Sequence, residues 1–200
     1  MPERMIRSMD APLVLAEALE LRMGPRAVLS SVELRVRGGQ VHGVLGPSGA
    51  GKTLLLQVLA GNVGISGGSV EIARACELVT AELCGGTSPI EAQLSASTRF
   101  RIALARAVAA EPAVLLVDEP VGGFDAESAA ATRALVSRHA VRGGACVWAT
   151  RRLDSLHGLA QGVTVLAGGR IRYAGSVEAL VWRALSGHAE QYEQPLERAA

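Results

Sequence analysis

The chain has 200 residues, 49% of them hydrophobic and 20% charged, with a net charge of +1. That is one domain's worth of globular sequence, without the low hydrophobicity and high charge of a disordered chain and with no sign of the strongly basic face that nucleic acid demands. No apolar run approaches the ~20 residues of a membrane helix, and Glu3, Arg4 and Arg7 have no apolar core after them to make a signal peptide, so a cytoplasmic location is expected, with any membrane spans supplied by separate subunits.

Leu13–Leu21 and Val28–Val36 alternate loosely and predict strands of an N-terminal sheet. Val41–Leu45 predicts a short apolar strand that runs into a glycine-rich loop and then a helix over Leu54–Ala60, stopped by Gly61. Gly67-Gly68 marks a turn before a strand at Ser69–Ala73. A further short strand is expected at Glu77–Leu83, before Gly85-Gly86 and Pro89 interrupt the pattern. Phe100, Leu104, Ala107 and Val108 share one face of a helix over Arg99–Ala110. Val114–Val117 is continuously apolar, as a strand buried on both faces should be. Asp125 is placed to cap a helix over Ala126–Ala140, with Glu127 in its first turn and Arg138 and His139 in its last. Ala145–Thr150 is the next strand. Gly168-Gly169 splits Val163–Leu166 from Arg170–Tyr173 as a hairpin, and a helix runs from Ser176 to about Leu185.

Strands alternating with helices imply an α/β fold, a mostly parallel sheet flanked by helices. One domain is expected over residues 1–190, followed by a polar tail at 191–200. Cys76, Cys84 and Cys146 have no metal spacing and are odd in number, so they read as free thiols. Trp148 reads as core packing, and Trp182 as core or interface.

The chemistry concentrates at Gly46-Pro47-Ser48-Gly49-Ala50-Gly51-Lys52-Thr53, which fits G-x-x-x-x-G-K-[ST] without a mismatch. Glycines let backbone N–H groups turn inward around a phosphate chain, and the following helix aims its positive end at the same anion. Lys52 is then placed to reach the β- and γ-phosphates of ATP, and the Thr53 hydroxyl to ligate Mg²⁺. Lys52 is also the one lysine among 20 Lys and Arg residues. A compact ammonium thus occurs only where such a loop requires one. Further on, Asp118-Glu119-Pro120 follows the apolar strand. Asp118 is the expected Mg²⁺ ligand through water, and Glu119 the general base that polarises the attacking water.

The run Arg101 to Pro112, leading straight into Leu115-Leu116-Val117-Asp118-Glu119-Pro120, resembles the ATP-binding (nucleotide-binding) subunit of an ABC transporter. Gly122-Gly123-Phe124-Asp125 is similar to that family's D-loop, and Gly168-Gly169-Arg170-Ile171 and Gly175–Leu180 resemble its C-terminal hairpin and helix. The resemblance implies the P-loop NTPase fold with an N-terminal antiparallel β-subdomain. It also implies a head-to-tail homodimer, or heterodimer with a second ABC ATPase, that sandwiches ATP, and transmembrane permease subunits as partners at the inner face of the membrane. The resemblance departs in places. The signature falls at Leu94-Ser95-Ala96-Ser97-Thr98, where Ala96 and Ser97 replace two glycines; Ser95 is still placed to donate to a phosphate. Arg151 stands at the switch-histidine position, with charge to offer a phosphate but no acceptor to position a water; His157 comes too late. Met23 sits where an adenine-stacking aromatic is expected, and Glu82 is the polar residue nearest the Q-loop position. Glu77 to Leu94 is too short for the usual helical subdomain. The expectation is therefore Mg·ATP binding with slow hydrolysis. A soluble ATP-dependent switch or assembly protein, and a non-hydrolysing pseudoenzyme, stand as alternatives.

Overall fold

The loose alternation at the N-terminus has a structural cause. In the computed structural model, which describes residues 11–73, 75–80, 93–118 and 126–186, strands β1 (Pro12–Met23) and β2 (Arg26–Arg37) pair antiparallel. The buried positions of β1 are Val14 and Ala16, then Leu19 and Leu21; those of β2 are Leu29, then Val32, Leu34 and Val36. Each strand changes parity once, at Ala18 (φ 46) and Ser31 (φ 51). The pairing register slips between Ala16 and Leu19. An inserted bulge residue shifts every later side chain to the other face, so period-2 reading blurs. Strand β4 (Gly67–Ile72) adds to the far side of β1, completing a three-stranded antiparallel sheet of order β2-β1-β4.

The second sheet has six strands in the order β5-β6-β7-β3-β8-β9. These are β3 (Val41–Leu45), β5 (Cys76–Val79), β6 (Val114–Asp118), β7 (Ala145–Thr150), β8 (Gly162–Ala167) and β9 (Arg170–Ser176). All neighbours are parallel except β9, which returns antiparallel on β8. Among the described residues four helices pack around them: α1 (Lys52–Leu59), α2 (Ala96–Ala109), α3 (Ala126–Val141) and α4 (Val177–Leu185). The central strands are apolar on both faces because both are covered. Val44, Leu116, Val147 and Leu166 face a layer shared with α1 and the three-stranded sheet. Leu115, Val117, Cys146 and Trp148 face a second layer built on α2, α3 and α4.

Helix α2 starts three residues before the predicted Arg99. The Ser95 hydroxyl accepts the Thr98 N–H at 3.2 Å and fixes the start. Ser176 caps α4 in the same way, accepting from the Ala179 N–H at 3.1 Å. The predicted strand Glu77–Leu83 is observed as Cys76–Val79 and has ended by the buried Thr80; residues 81–83 of that prediction, which include Glu82, together with Cys84, Glu119 and the segment 122–125, lie outside the described residues. Cys146 is fully buried and its thiol is pushed far up by burial, while Cys76 is pushed up to about 11, by burial first and the Glu77 charge second. Burial thus favours the thiol over the thiolate at both. Trp148 is packed inside, whereas Trp182 is 66% exposed and not part of the core. No helix among the described residues is long and apolar enough to cross a membrane.

Candidate nucleotide-binding site

Three adjacent parallel strands deliver the predicted groups to one end of the sheet. Leu45, the last residue of β3, pairs with Thr150, the last of β7; Ala149 pairs with Asp118, the last of β6. The loop 46–53, Arg151 and Asp118 therefore all stand at or just past carboxyl ends of neighbouring strands, which is where parallel α/β sheets bind ligands. Glu119 follows Asp118 directly in sequence.

The loop's shape needs its glycines. A Cβ on Gly46 would lie 2.2 Å from the Leu166 carbonyl oxygen, and one on Gly51 2.8 Å from the Leu29 side chain. Gly49 (φ 74) and Gly51 (φ 101) adopt left-handed conformations that turn successive N–H groups. Gly51 is the N-cap of α1, yet no side chain caps that helix and its first turn holds no acid. By contrast, α2 and α4 are capped by serine hydroxyls, and α3 carries Glu127 in its first turn. The start of α1 is thus an end whose positive dipole no side chain cap answers.

Lys52 is only 9% exposed. Its Nζ donates to the carbonyls of Gly46 at 2.7 Å and Pro47 at 2.8 Å, so the side chain folds back across its own loop. Gly46 and Ala50 are buried, Pro47 and Gly51 half-buried, and Ser48, Gly49 and Thr53 exposed. Asp118 is half-buried and Arg151 exposed. Ser95 heads a different element, and its hydroxyl is engaged within the first turn of α2, with Ser97 Oγ at 3.1 Å and Thr98 Oγ1 at 2.8 Å. Among the described histidines none stands where a switch group is needed. His42 and His139 belong to the amino end of the sheet; His139 contacts the carbonyl of Ala145, the first residue of β7. His157 is exposed. Met23 is 60% exposed at the β1–β2 hairpin.

One supporting residue escaped sequence reasoning, which read Gly168-Gly169 only as a turn. Gly169 donates its N–H to the Ala50 carbonyl at 3.1 Å, and its own carbonyl accepts from the Ser30 N–H at 2.9 Å. The β8–β9 turn thereby props the phosphate loop against β2. Its φ is 73°, and a Cβ there would lie 1.9 Å from the Val28 carbonyl oxygen. No sequence pattern marks such a contact, since its partners are far apart in the chain. Gly169→Ala should destabilise the fold by roughly 2 kcal/mol or more, read as a lower denaturant midpoint; an unchanged midpoint would show that the turn does not bear on the loop.

The model of the ABC transporter family matches residues 29–84, the segment that contains the loop. The daunorubicin resistance ATP-binding protein DrrA3 of Streptomyces coeruleorubidus is 30% identical, over 84% of this chain and 69% of its own length. This chain belongs to the ABC transporter ATP-binding family. Another member, the sulfate/thiosulfate import ATP-binding protein CysA of Caulobacter vibrioides, is 29% identical over 82% of this chain and 64% of its own length. The family chain described here thus spans just under two thirds of that relative. Among solved structures, a nucleotide-free ATP-binding cassette from an ABC transporter superposes with a TM-score of 0.74, covering 88% of this chain and 96% of its own at 18% identity. An ATP-binding subunit of an ABC transporter gives 0.73 over 88% and 93% at the same identity. The ATP-binding cassette fold is therefore established for this member, with a mostly parallel sheet, flanking helices and an antiparallel β-subdomain.

Proposed function

We propose that this chain binds Mg·ATP and works as the ATP-binding subunit of an ABC transporter, hydrolysing slowly to drive or regulate transport. One observation carries the reading: a helix start with no side-chain cap, preceded by a glycine-shaped loop and carrying a nearly buried lysine. The residues fit the nucleotide. Backbone N–H groups of 46–53 have the geometry to bind an anion. Lys52 has to exchange two neutral carbonyl partners for phosphate oxygens, a stronger, doubly charged interaction. Thr53, in the first turn of α1, and Asp118 supply an exposed hydroxyl and a carboxylate for a magnesium ion. That ion, when bound, neutralises charge developing on the transferred phosphoryl group.

In this reading Glu119 polarises the attacking water, and Arg151 offers charge to the nucleotide without accepting a proton. Ser95, already engaged in its own helix, contributes a weak contact from a second subunit. The chain sits at the inner face of the cell membrane against transmembrane permease subunits, as a homodimer or with a second ATPase chain. Arg151→His should raise steady-state turnover if the remaining motifs close around the nucleotide. An unchanged rate would place the limit at the signature or the shortened segment instead. Co-purification with a membrane permease is the test of coupling, and persistent failure to associate contradicts it.

The short stretch between β5 and α2 favours a second reading, an ATP-dependent switch not coupled to transport. Nucleotide-dependent pairing with a partner that is not a membrane protein would select it.

A further inference from the structure

Helix α3 and the turn that follows β7 are tied by one side chain. Arg133, on α3, donates from Nη1 to the Ser155 carbonyl at 2.6 Å and from Nη2 to the His157 carbonyl at 2.8 Å. Two carbonyls of one turn are thus gripped by the two arms of a planar guanidinium, a geometry that fixes direction as well as distance. The turn is otherwise anchored from its far half. Leu156 is fully buried and packs so tightly on β3 that a Cβ on Gly43 would lie 2.3 Å from its Cδ1. Its near half holds itself: the Thr150 hydroxyl accepts the Arg152 N–H at 3.0 Å, and Arg152 Nε donates to Asp154 at 3.0 Å.

The two elements joined this way leave the same end of the sheet. Helix α3 begins just after the segment that holds Glu119, and the turn begins at Arg151. On its other side, α3 meets α2 through Arg101–Glu127 at 3.0 Å. This exposed pair carries little energy by itself, but α2 is the helix that Ser95 heads. We propose that Arg133 is a positioning residue that makes α3 and residues 151–160 move as one body, so that the placement of Arg151 follows the helix leading from the Asp118-Glu119 segment. The inference rests on the nucleotide-binding reading above and adds to it a route by which the carboxylate side and the switch side of one site stay in step. The physical warrant is the bidentate grip, since a shift of α3 cannot occur without either dragging the turn or breaking two charge-assisted hydrogen bonds.

Hydrogen exchange on the full chain, with and without Mg·ATP, tests it. The reporters are the amides of Leu156, His157, Leu159 and Ala160, which bond within the turn at 2.9–3.1 Å, and those of residues 46–60. In the parent, Mg·ATP should slow exchange at both. In Arg133→Met, which removes both bonds, the turn should exchange at least roughly tenfold faster, and its response to nucleotide should vanish while residues 46–60 still respond. Arg133→Lys, which keeps the charge and a donor, should recover part of the coupling and serves if the methionine variant does not fold. A turn that responds alike in parent and Arg133→Met overturns the proposal, as does a parent turn that ignores nucleotide while residues 46–60 respond. Silence at residues 46–60 in the parent contradicts the nucleotide assignment itself, and the coupling falls with it.

Discussion

Lys52→Ala should reduce affinity for Mg·ATP by about a hundredfold or more. The ammonium is the one side-chain cation within the loop 46–53, and it lies almost out of solvent at 9% exposure. Hydrogen bonds to charged groups are worth about 1.5–3 kcal/mol each, and at about 1.4 kcal/mol per factor of ten the loss of two or so phosphate contacts gives that range. The fold should survive, because the hydrogen bonds lost to the Gly46 and Pro47 carbonyls lie within the loop itself, and the same midpoint measurement by denaturant checks it. Lys52→Arg should also bind weakly, since a planar fork does not fit where a compact ammonium turns back across its own loop. Competition against a fluorescent nucleotide measures both variants. Parent-like affinity in Lys52→Ala would remove the lysine from the site.

Glu119→Gln should leave that affinity within a fewfold of the parent and lower hydrolysis by about 10²-fold or more. The substitution keeps size and hydrogen-bonding capacity but removes the basic oxygen that accepts the water's proton, and general base catalysis contributes roughly 10²–10⁴-fold. Single-turnover hydrolysis separates the chemical step from release. A variant that cleaves ATP at the parent rate would show that the carboxylate next to Asp118 is not the base. Arg151 cannot take that role, because a guanidinium has no lone pair to accept a proton.

Much of the architecture is legible in the residues because local pattern and burial agree. Val41–Leu45 and Ala145–Thr150 are observed with the predicted bounds: the first, apolar but for His42, stops at Gly46-Pro47, and the second, buried throughout, stops at the charged pair Arg151-Arg152. The phosphate loop is legible for a related reason: its spacing encodes backbone turns, and those turns form here at Gly49 and Gly51. What sequence leaves hidden depends on contacts between distant segments. The bulges at Ala18 and Ser31 depend on strand pairing and carry no glycine to announce them. The docking of Gly169 on Ala50 and Ser30, and the grip of Arg133 on the turn after β7, join residues that share no local pattern. The early start of α2 comes from a single hydroxyl, which a periodicity of apolar residues does not register. Trp182 shows the same limit: its helix leaves core and interface both open in sequence, and only its 66% exposure takes it out of the core.

The central claim is that the chain's own amides, with Lys52 and Thr53, close around a triphosphate. Isothermal titration of the unaltered protein with ATP in the presence of magnesium addresses it without any variant. The account predicts a saturable heat with one nucleotide bound per chain, weakened when magnesium is chelated. A flat trace at protein and nucleotide concentrations in the hundreds-of-micromolar range, where even a weak complex of about −5 kcal/mol would register, would contradict it.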